Sequence, residues 1–122
     1  MYETVKLHSY KELLVWQRSI ALARDVYAYT SQLPQSEKYG LASQMQRAVV
    51  SIPSNIAEGY DRNNRKEFLQ FLGIALGSSA ELETQLLISH LVYVGISQNH
   101  ISQTLVEVRK MLQSLIAKLK TQ

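Results

Sequence analysis

The 122-residue sequence contains no cysteine, only two prolines and only five glycines. The absence of cysteine excludes disulfide bridges, thiol nucleophiles and thiolate metal ligands, and it favours a reducing, cytoplasmic compartment. No apolar run approaches the roughly 18 residues that a membrane span requires, and the N-terminal residues lack the apolar run of a signal peptide. We therefore expect a soluble protein with one domain, residues 1–122, large enough to bury a continuous core.

The chain also lacks the motifs of common catalytic and metal sites. Its three histidines, His8, His90 and His100, have no partner histidine at helical spacing and form no Glu-x-x-His pair. This absence excludes the di-iron arrangement of helical bundles. The sequence has no G-x-S-x-G elbow, phosphate-binding loop or dinucleotide fingerprint. We expect a non-enzymatic protein without metal, cofactor or small-molecule substrate, and a partly buried, hydrogen-bonded His90.

Apolar residues at helical spacing fill four segments of the chain, and no strand-like alternation competes with them. The predicted helices cover residues 10–33, 36–59, 64–94 and 97–120. Side chains that can cap their first turns are Ser9, Ser36, Asn64 and Ser97. Predicted ends lie at Pro34, Gly59 and Gly95. The short connections predict an all-α fold, an antiparallel up-down-up-down four-helix bundle.

Each predicted helix has one inward face. For the first helix this face is Leu13, Trp16, Ile20, Ala23 and Tyr27. For the second it is Leu41, Met45, Ala48, Ile52 and Ile56, with Pro53 expected to cause a kink or pause near Ser51. For the third it is Phe68, Leu72, Ala75, Ser79, Leu82, Leu86 and Tyr93, and for the fourth Ile101, Leu105, Val108, Leu112, Leu115 and Leu119.

Apolar and small residues also occur outside these faces. They are Leu14, Ala21, Tyr29, Gly73 and Gly77. A small bundle should not expose so many, and helical glycines suggest close approach of another backbone. We therefore expect a homo-oligomer.

A polar stripe runs along the second predicted helix beside Pro53. Arg47, Ser51, Asn55 and Glu58 are spaced by four, four and three residues and so share one face. In a structural interpretation, Ser51 and Asn55 satisfy the carbonyls that the proline frees, while Arg47 and Glu58 form ion pairs with another helix or subunit. In a functional interpretation, the stripe lines a groove or channel in which Arg47 contacts phosphate.

The net charge is +3, and the basic residues form two clusters. The first is Arg62, Arg65 and Lys66, and the second is Arg109, Lys110, Lys118 and Lys120, with no acid after Glu107. An antiparallel bundle places the two clusters at the same end, where they can bind a polyanion. The second cluster also has a simpler interpretation, because basic side chains oppose the negative end of a helix dipole.

Three blocks of the sequence resemble the 23S rRNA-intervening-sequence protein family of four-helix bundles. The blocks are VWQRSIALA from Val15, YGLASQMQRAVVSIPSNIAEGY from Tyr39 and EFLQFLGIALGSSAELETQL from Glu67. The matching positions are Arg47, Ala48, Ser51, Ile52, Pro53, Asn55, Ile56, Ala57, Glu58 and Gly59, with Gly77, Ser78 and Glu81 in the third helix.

The resemblance implies protomers that assemble as rings, typically homopentamers. A similar protein, the accessory variability determinant of diversity-generating retroelements, is a basic pentameric barrel that binds nucleic acid and associates with a reverse transcriptase. We expect an RNA- or DNA-associated accessory protein. The alternative is an oligomeric scaffold that binds a protein partner and no nucleic acid.

Overall fold

The structure, a computed structural model, describes residues 9–122, so His8 lies outside the described residues. Within this range the chain forms helices and no strand. The α-helices are α1 (Leu14–Thr30), α2 (Leu41–Asp61), α3 (Arg65–Val92) and α4 (Asn99–Lys120), and short 3-10 helices span Tyr10–Glu12 and Gln35–Glu37. The predicted all-α class and four-helix bundle are confirmed. None of the helices in this range has the length and apolarity of a membrane span.

Side-chain contacts establish how the four helices are arranged. Arg18 contacts Glu107 and Asp25 contacts His100, so α1 and α4 run in opposite directions. The same opposition relates α3 to α4, because Arg109 contacts Ser79 whereas Gln98 reaches Leu86. Both α1 and α3 pack against α2 and α4 and not against each other along their length. The helices α1 and α3 therefore occupy opposite corners of the bundle.

The helix starts differ from the sequence prediction at three of the four caps. Asn64 caps α3 as predicted, because its Oδ1 accepts from the amide of Glu67 at 3.0 Å. Ser36 does not cap α2, which begins only at Leu41, where Glu37 Oε1 accepts from the Leu41 amide. Ser9 caps the short 3-10 helix rather than α1, and α4 begins after Gln98 rather than at Ser97.

The helix ends also lie away from the predicted residues. α2 continues past Gly59 to Asp61, and Asn63, with φ of 53°, supplies the left-handed conformation in the turn to α3. Pro53 is buried inside α2, which runs unbroken from Leu41 to Asp61, so the predicted pause is wrong and the kink stays a prediction. The burial of the proline ring compensates for the missing backbone hydrogen bond.

The core lies between the four helices, and the predicted inward faces are confirmed for α2, α3 and α4 with few exceptions. For α1 the prediction is wrong, because the buried residues are Val15, Ser19, Leu22, Val26, Tyr29 and Thr30. The predicted stripe lies on the shoulder of α1, where Ile20 is 43% and Tyr27 47% exposed. Both sets of residues have steps of three and four, so spacing alone could not distinguish them.

Tyr29, predicted to lie outside the inner faces, is 1% exposed and connects three helices. Its hydroxyl lies 2.6 Å from Ser89 Oγ, and Gln98 Nε2 donates to it at 2.7 Å. Gln98 also donates to the carbonyl of Leu86. A buried tyrosine needs a hydrogen-bond partner for its hydroxyl. Here these hydrogen bonds join the C-terminal ends of α1 and α3 to the start of α4.

Candidate functional site

The polar stripe on α2 faces α3 and is held there by hydroxyl and amide groups. Ser51 Oγ lies 2.8 Å from Ser78 Oγ, and Asn55 Nδ2 donates to both the hydroxyl and the carbonyl of Ser51. Pro53 has no amide hydrogen, so the backbone carbonyl of Val49 loses its helical donor. The hydrogen bonds of Ser51 and Asn55 do not involve this carbonyl, so they do not satisfy it as predicted. Ser51, Asn55 and Ser78 instead form a polar seam between α2 and α3.

The charged ends of the stripe do not form the predicted pairs with another helix of the protomer. Glu58 pairs at 2.8 Å with Arg62, one turn further along the same chain segment. Arg47 is exposed and forms no ion pair with any residue between 9 and 122. Neither charge is therefore buried against an opposite charge within the protomer.

A polar pocket of about 280 Å³ lies where the stripe meets α3. It is lined by Gln44, Arg47, Ala48, Ser51, Ser78, Glu81 and Gln85. The side-chain oxygen of Gln85 is buried there and has no hydrogen-bond partner among the described residues. The guanidinium of Arg47 can hold a carboxylate or phosphate, and Glu81 can hold a cation. The pocket thus combines both charges with an acceptor that needs a donor.

The pocket brings together residues from two distant blocks of the sequence. Of the positions identified from the family resemblance, five line the pocket, whereas Gly77 lies exposed on another side of α3; the five are Arg47, Ala48, Ser51, Ser78 and Glu81. Sequence reasoning missed Gln44 and Gln85. Gln44 precedes Arg47 by three residues, and Gln85 follows Glu81 by four. This spacing was the signal, because it puts each glutamine on the same helix face as the charged residue.

Gly59 is a packing residue rather than the helix terminator that the sequence suggested. A Cβ at this position would lie 2.6 Å from Phe71 Cβ and 3.0 Å from Phe68 Cδ1. The absent side chain lets α2 approach α3 closely at the end of the polar seam.

The first basic cluster meets the end of α4 through Arg65, so the predicted proximity of the two clusters holds only for Lys118 and Lys120 of the second. Arg65 Nη1 donates to the carbonyl of Leu119 at 3.2 Å, which places the α2–α3 turn against the end of α4. Lys66, Lys118 and Lys120 are exposed. They form, with Arg65, a basic surface that we call the basic end.

Besides Arg65, two further arginines of the predicted clusters are engaged within the protomer. Arg62 contacts Glu58 and Glu67, and the hydrogen bond that it donates to the Glu58 carboxylate raises the pKa of its guanidinium above the ordinary value. Arg109 lies in the middle of α4, half-buried, where it donates to Ser79 Oγ at 2.6 Å. Arg109 therefore lies away from the basic end, and its role is to join α4 to α3.

Lys110 lies on a part of the surface outside the basic end. With Lys118 it borders an apolar groove of about 410 Å³ between α1 and α4, floored by Leu14, Met111 and Leu115. The seven basic residues predicted to form one patch therefore divide into the basic end, this groove and two internally bonded arginines.

His90 is exposed and borders a groove between α3 and α4 with Leu87 and Val106, so its predicted burial is wrong. Within residues 9–122, no three His, Asp or Glu side chains are grouped as a metal site requires.

A four-helix bundle with a polar seam between α2 and α3 defines the structural class, and comparison with known proteins gives the family. The model of the 23S rRNA-intervening sequence protein family matches residues 11–114, so the chain belongs to this family. No curated protein matches the chain.

One similar solved structure is a protein of unknown function from the S23 ribosomal protein family of Bacteroides thetaiotaomicron. It aligns with a TM-score of 0.74 at 24% identity, covering 84% of this chain and 98% of that one. At this identity the similarity establishes the fold alone.

Proposed function

We propose that the protein is a non-enzymatic accessory protein of RNA or DNA that acts in the cytoplasm as a homopentameric ring. Family membership supports this proposal, as does the sequence resemblance to the nucleic-acid-binding determinant of retroelements. The observation that carries the proposal is the basic end, where Lys66, Lys118 and Lys120 are exposed. Exposed ammonium groups attract phosphate and release its counterions.

We assign the phosphate contacts to the basic end together with Lys110, which continues the basic face along α4. Arg62 and Arg109 are not assigned, because two carboxylates bind the first and Ser79 binds the second. Phosphate contacts position a nucleic acid without reading its bases, so binding lacks sequence specificity. A ring repeats the basic end around one rim and thereby converts weak contacts into a multivalent one.

The test is binding of a structured RNA and a duplex DNA between about 50 and about 200 mM salt. We expect Lys66→Gln, Lys118→Gln and Lys120→Gln, combined, to weaken binding. The logarithmic salt dependence of duplex binding should also become shallower, by about 0.9 for each phosphate that the variant no longer neutralises. Lys38→Gln, which removes an exposed lysine at the opposite end of the bundle, is the matched control. The assembled mass of every variant is measured first.

Unchanged binding by the triple variant would reject the basic end as the contact surface. No binding by the parent protein at any salt concentration would support the second candidate function, an oligomeric scaffold for proteins. That alternative is favoured by the apolar side chains of Leu87, Leu91 and Val94, which are 59%, 69% and 72% exposed.

A further inference from the structure

The polar pocket between α2 and α3 follows from the way in which these two helices face each other. Ser51 of α2 lies against Ser78 of α3. Gly59, about two turns further along α2, lies against Phe71, about two turns earlier on α3. The two helices are therefore antiparallel, and each turn along α2 is matched by one turn back along α3.

This register pairs the residues that line the pocket, which we call the α2–α3 pocket, in three levels. The levels are Ser51 with Ser78, Arg47 and Ala48 with Glu81, and Gln44 with Gln85. The contact of 2.8 Å between the serine hydroxyls closes the first level. At the second level no ion pair joins Arg47 to Glu81. At the third level the side-chain oxygen of Gln85 has no hydrogen-bond partner within residues 9–122. The second and third levels are therefore not closed by contacts of their own.

The pocket offers hydrogen-bonding groups that the protomer does not use. The guanidinium of Arg47 only donates and the carboxylate of Glu81 only accepts. Neither forms an ion pair with any residue between 9 and 122. The buried oxygen of Gln85 is a second acceptor. The two serine hydroxyls carry two protons and their contact uses one, so the other is available to an acceptor. A ligand that satisfies these groups has an acceptor at one end and a donor at the other.

The signs of the two charges select the class of ligand. An anion such as phosphate can bind Arg47 but then lies close to the carboxylate of Glu81. A cation can bind Glu81 but then lies close to the guanidinium of Arg47. Each of these ligands meets one attractive and one repulsive charge, whereas a zwitterion meets two attractive charges. In an α-amino acid the carboxylate and the ammonium are attached to the same carbon, so one small molecule can contact both residues of this level.

The volume of the pocket agrees with this class. Since one water molecule takes up about 30 Å³ of the liquid, about 280 Å³ corresponds to about nine waters, or to a ligand of about nine non-hydrogen atoms. Serine, asparagine and glutamine are of this size, whereas a nucleotide is too large to be enclosed. The amide groups of Gln44 and Gln85 at the third level suit a ligand with a polar side chain.

We propose that the α2–α3 pocket binds a small polar α-amino acid. The ligand carboxylate binds Arg47 and the free serine proton, and its ammonium binds Glu81 and the side-chain oxygen of Gln85. The pocket lies on the part of α2 that precedes Pro53, whereas the basic end lies beyond the end of α2. This inference therefore does not depend on nucleic-acid binding or on assembly.

The test is titration of the isotope-labelled full chain with L-serine, L-asparagine and L-glutamine. The side-chain amide signals of Gln44 and Gln85 in NMR spectra report on the pocket directly. We expect at least one of these amino acids to shift both signals saturably below about 10 mM. N-acetyl-L-serine, which lacks the ammonium, and L-serinamide, which lacks the carboxylate, should bind at least about tenfold more weakly than L-serine, because each leaves one charge of the pocket unpaired.

Four variants with matched changes of charge test the two charged residues. Arg47→Gln and Glu81→Gln should each weaken binding of the amino acid at least about tenfold, because each removes a charge-assisted contact. The controls are Arg24→Gln on α1 and Glu83→Gln on α3, which change exposed residues outside the pocket. Both controls should bind with the affinity of the parent, since they alter the net charge of the protein by the same amount as the test variants.

Gln85→Leu separates ligand binding from a structural role of the amide. Because the oxygen of Gln85 has no partner within residues 9–122, an apolar side chain of similar size should leave the urea midpoint of the free protein unchanged or raise it. The same variant should bind the amino acid more weakly. A lower midpoint would overturn the assignment of this oxygen to the ligand. The proposal as a whole is wrong if no amino acid shifts the two amide signals below about 10 mM. It is also wrong if inorganic phosphate or N-acetyl-L-serine binds as tightly as L-serine, because the site would then take anions alone.

Discussion

At the residue scale, Gly59 shows that a glycine in a helix can be required for packing. No other described glycine has a neighbour this close outside its own helix, except Gly40, whose near neighbour is the flexible side chain of Glu37. The atoms facing Gly59 are a Phe71 Cβ and a ring carbon of Phe68, and both belong to packed side chains of α3. A methyl group here can be accommodated only if α2 and α3 move apart.

We predict that Gly59→Ala lowers the free energy of unfolding by about 1–3 kcal/mol, because overpacking outweighs the gain in helix propensity. Urea denaturation at a fixed protein concentration measures the change. Gly95→Ala is the control, since nothing lies within 4 Å of its Cβ position and its φ is not positive. The control should stay within about 0.5 kcal/mol of the parent. Equal midpoints for the parent and Gly59→Ala would contradict the proposed role.

At the element scale, Glu37 lies in the connection between α1 and α2 and joins this connection to the start of α2 and the end of α3. Its carboxylate accepts from the hydroxyl of Tyr93, at the end of α3, at 2.5 Å and from the first amide of α2. The hydrogen bond from Tyr93 is the main cause that lowers the pKa of Glu37 below 4.5, and the amide of Leu41 adds to it. The same bond raises the pKa of Tyr93 above 10.0.

The direction of these two shifts gives a pH prediction. A lowered pKa in the folded state means that the hydrogen bonds to the Glu37 carboxylate stabilise the fold above pH 4.5. This stabilisation disappears as the pH falls through the folded-state pKa. We predict that Glu37→Gln is less stable than the parent near about pH 7 and that the difference shrinks below about pH 4.5.

Urea denaturation of both proteins across the acidic range measures the difference. Glu83→Gln, which changes an exposed carboxylate of α3, is the control and should unfold like the parent near about pH 7. A difference between the parent and Glu37→Gln that persists at low pH would show that the carboxylate charge is not the cause.

At the scale of the whole molecule, several large apolar side chains stay exposed on the surface of the single bundle. The exposed large side chains extend along the outer side of α3 and recur on α1. When copies associate through these surfaces, the stability of the fold rises with protein concentration, because association removes folded protomers from the unfolding equilibrium.

We predict that the unfolding temperature of the parent rises with protein concentration, whereas that of Leu87→Glu does not. Scanning calorimetry over a hundredfold range of concentration measures both proteins, and the scan rate is varied to confirm that unfolding is reversible. A concentration-independent parent would be evidence against assembly.

Most of the fold followed from the sequence. The 3.6-residue periodicity specified the four helices, and the inward faces of α2, α3 and α4 followed, with few exceptions, from residues at steps of three and four. Asn64 was identified as a cap by its side chain alone. In the candidate site, spacing placed Arg47, Ser51, Asn55 and Glu58 on one face of α2.

Only the tertiary structure decided which of two apolar lines on α1 faces the core, because both have the same period and burial depends on the neighbouring helices. It alone decided that Arg109 is bound internally, because its partner Ser79 lies 30 positions away in the sequence. It alone brought Ser51 to Ser78 and Arg47 to the pocket with Glu81. Local periodicity fixes which residues form a helix and share its faces, whereas the identity of the partner on each face is a long-range property that one helix does not contain.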